Sequence, residues 1–86
     1  MLKHFAKKRS HKKLPSPLYS AVFNAIPWNK LISEDELPIL IQRSIDAEYS
    51  NLRQNEVMNL VHDLAKLGFV GEFPGVKLER LLDLPA

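Results

Sequence analysis

Histidines and carboxylates are where catalysis or metal binding would first show, and their spacing in this chain argues against both. His4, His11 and His62 are the only histidines. None has a second ligand at the i, i+4 spacing that puts two metal-binding groups on one side of a helix. His62 and Asp63 are neighbours, but adjacent helical positions point about 100° apart and do not make a dyad. Glu34, Asp35 and Glu36 are the densest carboxylates, and a helix start accounts for them. The three glycines form no phosphate-cradling loop, and no serine stands in a nucleophile elbow. With no cysteine there is neither a thiolate ligand nor a disulfide framework. These residue types predict no enzyme activity, no metal site and no cofactor.

Basic and amide side chains point to chemistry of another kind. Residues 1–13 carry Lys3, Lys7, Lys8, Arg9, Lys12 and Lys13 with no acid, a charge of +6, whereas residues 14–86 carry six basic and ten acidic side chains, a charge of −4. A run of like charge stays solvated and is drawn to phosphate. Residues 1–14 therefore read as a flexible basic arm and residues 15–86 as a small domain. Within that domain a helix over residues 52–67 would show Asn55, Asn59, His62 and Lys66 on the side opposite Val57, Leu60, Val61 and Leu64, at about 3.6 residues per turn. Asparagine can bond adenine at two points, and lysine can meet guanine or phosphate. Arg53 and Gln54 at the helix start, and Lys77 beyond it, complete the candidate contacts in the domain. Lys7, Lys8, Arg9, Lys12 and Lys13 would reach phosphates. Glu56 and Asp63 oppose such a surface by repulsion, so the arm must supply much of the attraction.

The elements that position these groups follow from local signals. Eighty-six residues allow one domain, and 45% hydrophobic with 26% charged residues is ordinary folding composition. Ser16 as N-cap and Pro17 at the first helical position start a helix that Pro27 stops. Trp28 then follows in a loop, where a ring of its size is expected to plug the edge of the core. Ser33 and Glu36 make a capping box, with Ile32 and Leu37 at the staple positions, predicting a helix from Glu34 to about Asp46. Asn51 and Gln54 repeat that logic for the third helix, which Gly68 ends. Phe69 to Phe73, Pro74 and Gly75, then Val76 to Glu79 fit a small hairpin, with a C-terminal helix from about Val76 as the competing reading.

Three helices followed by a hairpin is the layout of a winged helix-turn-helix, whose second angled helix enters the major groove. Val57, Leu60, Val61, Leu64, Gly68, Phe69 and Val70 resemble the recognition helix and following strand of MarR-type bacterial regulators. Ser33, Glu36 and Leu37 resemble the start of the helix before it. The resemblance spans residues 33–73, about half the chain. The chain departs from that pattern in lacking the long dimerisation helices, in its long link from Asp46 to Asn51, and in its acidic body.

The resulting expectation is a mainly α, three-helix winged helix-turn-helix with a short β-hairpin or C-terminal helix. It implies a transcriptional regulator or accessory factor that binds duplex DNA. No apolar run approaches the roughly 20 residues of a membrane-spanning helix, so a cytoplasmic protein with no membrane partner is expected. An alternative on the same scaffold is a protein-interaction module, in which Leu78, Leu81, Leu82 and Leu84 pack on a partner or on a second copy.

Overall fold

The computed structural model describes residues 3–74. Three helices pack against a three-stranded antiparallel sheet, so the fold combines helix and sheet where a mainly α domain was expected. The elements run β1 (Lys3–Lys7), α1 (Pro17–Ala25), β2 (Ile32–Ser33), α2 (Leu37–Ser44), a 3-10 turn (Ala47–Tyr49), α3 (Gln54–Lys66) and β3 (Val70–Pro74). The strand order is β2-β1-β3. Residues expected to be a solvated arm thus form the central strand. Phe5 stands opposite Ile32 on one side and Glu72 on the other, and Lys7 stands opposite Val70.

Phe5 explains why the arm is drawn in. Its side chain has no exposed surface and joins Val22, Ile41, Val61 and Leu64 in the core. A phenylalanine buried to this degree contributes about 1.5–3 kcal/mol by area alone, and loss of packing adds to the cost of removing it. Charge density made residues 3–7 look solvated, but the pleat sends alternate side chains to opposite faces. One apolar position at the right register is enough to commit the strand.

The first helix starts as its sequence predicts. Ser16 has extended backbone and its Oγ accepts from the Tyr19 N–H at 3.5 Å, while Pro17 takes the first turn. The second helix starts three residues later than the capping-box reading places it. A helix running from Glu34 would drive the Pro38 ring against the Glu34 carbonyl, whereas a start at Leu37 puts Pro38 where no intrahelical N–H is needed. Ser33 is released to the sheet, opposite His4, and its Oγ accepts from the Glu36 N–H in a turn instead. The third helix also starts later than expected: Arg53 is the N-cap, and its N–H donates to Glu56 Oε1 at 3.2 Å. The link before it contains the 3-10 turn and is tied down by Gln42, whose amide donates to the Leu52 carbonyl at 2.9 Å.

The end of α3 follows the predicted pattern in full. Gly68 has φ +91°, the left-handed region that favours glycine, and nothing would meet a Cβ there except that backbone strain. The Phe69 N–H donates to the Leu64 carbonyl at 2.9 Å and the Gly68 N–H to Ala65 at 3.2 Å, the paired bonds of a Schellman motif. This turn delivers Phe69 and Val70 into the core and aims β3 at β1. The returning strand expected over Val76–Glu79, and the competing helix, lie outside the described residues.

Phe5→Ala should lower unfolding free energy by about 3–5 kcal/mol in urea titrations, a large part of what a domain of this size possesses. Deleting residues 1–14 should likewise leave an unfolded chain, visible as loss of cooperative melting; an intact, cooperatively melting body would refute the central role of β1.

Candidate nucleic-acid interface

The basic residues divide between those built into the body and those left outside it. Lys7 is built in: its Nζ donates to the Ile26 carbonyl at 3.0 Å, at the C-terminal end of α1. The same ammonium lies 4.2 Å from the Phe23 ring centroid and 4.5 Å from that of Trp28. Partial burial holds its pKa below the usual lysine value. A cation at a helix C-terminus flanked by two aromatic faces is a structural group. Lys7 therefore leaves the set of free phosphate contacts in which the sequence placed it. Lys8, Arg9, Lys12 and Lys13 are exposed.

Lys8 is where the remaining arm meets the body. Its N–H donates to the Phe69 carbonyl at 2.8 Å, prolonging the β1–β3 pairing by one residue. Its side chain crosses Gly71, where a Cβ would stand 2.9 Å from Lys8 Cε and equally close to the Phe73 ring. A larger residue at 71 would displace both. Lys8 then lines a groove of about 500 Å³ with His62, Lys66 and Glu72. The sequence put Lys8 on the arm and Lys66 on the third helix, and the fold brings both to one groove.

On α3, Val57, Val61 and Leu64 are buried while Asn55, Asn59 and Lys66 are exposed, so the expected outward stripe exists. Arg53 and Gln54 are exposed at its start. His62 does not belong with the free readers: its Nδ1 lies 3.0 Å from Glu72 Oε1 and its ring meets Phe5 edge-on at 5.8 Å. It joins α3 to the sheet. The two carboxylates that opposed a phosphate-facing surface are turned to internal tasks. Glu56 caps the helix backbone, and Asp63 accepts from the Tyr19 hydroxyl at 2.9 Å on the side facing α1. Glu72 pairs with Lys3 at 3.7 Å as well as with His62. Among the described residues no other basic side chain lies within ion-pair distance of a carboxylate, so Lys8, Arg9, Lys12 and Lys66 have no carboxylate partner there.

Trp28 departs from its expected place at the edge of the core. It is 48% exposed and does not plug the core. Phe23 meets it edge-on at 5.8 Å, and Phe23 itself packs on Phe69. With Lys8, Arg9, Lys12, Phe23 and Phe69 it lines a second groove, of about 570 Å³. Composition alone hid this pairing because Trp28 lies far along the chain from the arm. Lys77 and the leucines Leu78, Leu81, Leu82 and Leu84 lie outside the described residues. Among those described, no group of three His, Cys, Asp or Glu side chains could hold a metal ion, and no helix is long and apolar enough to cross a membrane.

Comparison with protein-family models, with curated proteins and with solved structures finds no match for this chain.

The Tyr19–Asp63 bond gives a direct test of where Asp63 points. Hydrogen bonding to Asp63, then burial, raises the Tyr19 pKa above its ordinary 10.0. A pKa raised in the folded state means stability fully present below the unfolded value and lost as pH rises through the folded one. Asp63→Asn should bring the Tyr19 titration back towards 10, followed by NMR of the ring, and should shift alkaline unfolding to lower pH. An unchanged titration would show that the carboxylate is not on the hydroxyl.

Proposed function

We propose that this chain binds duplex DNA, with the outward stripe of α3 in the major groove and the cations after β1 on the flanking phosphates. The observation that carries this reading is the groove shared by Lys8 and Lys66. It sets Lys8 beside the C-terminal turn of α3, whose exposed side carries Asn59 two turns earlier; Glu72 also lines the groove, and its carboxylate is paired with Lys3 and His62 rather than with Lys8 or Lys66. Phosphate contacts fix register and amides read base edges, so one surface offers both kinds of contact. The bond from the Tyr19 hydroxyl turns Asp63 towards α1, which lessens the electrostatic objection raised by the acidic body; Glu56 stays exposed at the helix start.

The order α1, β2, α2, α3, β3 is consistent with a winged helix-turn-helix in which α2 and α3 are the angled pair. The arrangement has its own feature: β1, from ahead of the first helix, occupies the centre of the sheet between β2 and β3. The role that fits is a regulator or accessory factor acting on cytoplasmic DNA.

Because β1 is part of the fold, charge neutralisation tests this reading better than deletion. Binding to a mixed-sequence duplex should be salt-steep, each phosphate contact contributing about 0.9 to the slope of log K against log salt. Replacing Lys8, Arg9 and Lys12 by Gln should reduce that slope by about 2–3 and weaken binding to all sequences alike. Asn59→Ala should cost about 1–3 kcal/mol on preferred sequences only. Fluorescence anisotropy at two salt concentrations measures all three; no duplex binding at low salt sinks the proposal.

A further inference from the structure

The groove beside Trp28 carries a separate reading. We infer that it is a site for single-stranded nucleic acid, in which an unpaired base stacks on the Trp28 ring and the neighbouring phosphates lie on Arg9 and Lys12. This goes beyond the duplex reading and makes no use of the α3 stripe.

Three observations support it. Trp28 is one of the two large hydrophobic side chains left substantially exposed among the described residues. A large ring half in solvent contributes little to the core, yet it is held in a definite orientation. Phe23 stands against it at 88° between ring planes, and Asn29 after it takes a left-handed backbone with φ 58°. The second observation is the charge around it. Lys8, Arg9 and Lys12 line the same groove, and no carboxylate lines it. The Arg9 guanidinium lies loosely over the Trp28 ring, 5.9 Å from its centroid, and is held by no ion pair among the described residues, so an incoming base would displace it towards the phosphates. Lys7 already provides the cation that packs on Phe23 and Trp28 and bonds the Ile26 carbonyl. Arg9 and Lys12 are thus available to a ligand.

The third observation is size and shape. At about 570 Å³ the groove is within the range of pockets that hold small ligands, but the cations that line it come from one run of chain, residues 8–12. That arrangement suits a polymer of phosphates more than one compact anion. Bases in a duplex hide their faces in the stack, whereas single strands offer them to aromatic platforms in basic grooves. Stacking tolerates any base, so recognition here would be of strandedness and not of sequence.

Trp28 is the chain's one tryptophan, so its fluorescence reports on this groove alone. Titrating the full chain with a thymidine oligonucleotide of about ten residues should quench the emission and shift it, with salt-steep affinity. Trp28→Ala should weaken that binding by about five- to a hundredfold, read by anisotropy of labelled oligonucleotide, and Trp28→Phe should restore most of it. Both variants should still melt cooperatively, Trp28→Ala at a lower temperature because the Lys7 and Phe23 contacts are lost, and neither should change affinity for duplex. Asn59→Ala should do the converse, weakening duplex and sparing the single strand, so the two readings fail independently. An abasic oligonucleotide of the same length should bind more weakly without quenching. If it binds as tightly as the thymidine strand, or if Trp28→Ala binds like the parent chain, the groove attracts polyanions by charge alone and the stacking site is overturned.

Discussion

Burial of Phe5 is the interaction on which the rest of the arrangement depends. It is the one position of β1 whose side chain lies wholly in the core. By seating there it turns a positively charged segment into the central strand of the sheet. Strand β1 then gives both β2 and β3 their pairing, and without it the two flanking strands have no common partner. A two-residue β2 has little stability of its own, since short strand pairs are marginal unless packed against a third strand or a helix. The cost of holding six like charges near one another is offset by hydrophobic burial at one site and by the Lys7 contacts at another.

That anchoring also sets where charge is left over. The carboxylates on and near α3 are engaged internally: Glu56 with backbone, Asp63 with Tyr19, Glu72 with Lys3 and His62. Each of these contacts is exposed or half-exposed and worth little in stability, because solvent screens it. Their consequence is for the field at the surface. They turn Asp63 towards α1 and occupy Glu72, while Glu56 stays exposed at the helix start, and they leave Lys8, Arg9 and Lys12 without an ion pair among the described residues. The net charge of +2 therefore understates how positive one side of the molecule is.

Much of this was legible from residue types, and the failures have common causes. The α1 cap at Ser16 and Pro17, the glycine turn at Gly68, and the buried row Val57, Val61, Leu64 rest on local rules, and each holds. The α2 start was misplaced because two local signals competed. Ser33 with Glu36 reads as a capping box, but Pro38 forbids a helix over Glu34 and the sheet claims Ser33. The arm was misread because charge density hides a single buried residue, and strand pairing is a long-range event that spacing along the chain does not reveal. Trp28 was misread for the same reason: its cationic neighbours come from a segment some twenty residues away. His62 looked like a reader until Glu72 and Phe5 arrived beside it.

Lys7 shows how the two candidate surfaces come to be separate. Its ammonium bonds the end of α1 and lies against Phe23 and Trp28, pinning the strand's exit to the loop that carries the tryptophan. Lys8, the next residue, bonds Phe69 through its backbone and lines both grooves. From there the chain turns towards Arg9 and Lys12 beside Trp28, while the Lys8 side chain crosses Gly71 towards the groove with Lys66. Two consecutive lysines, one structural and one free, thus divide a basic run into a partly buried anchor and a charged surface with an aromatic platform on one side and an amide-bearing helix on the other. A longer residue at Gly71 would disturb that division first, because its Cβ would displace the end of the Lys8 side chain and the Phe73 ring.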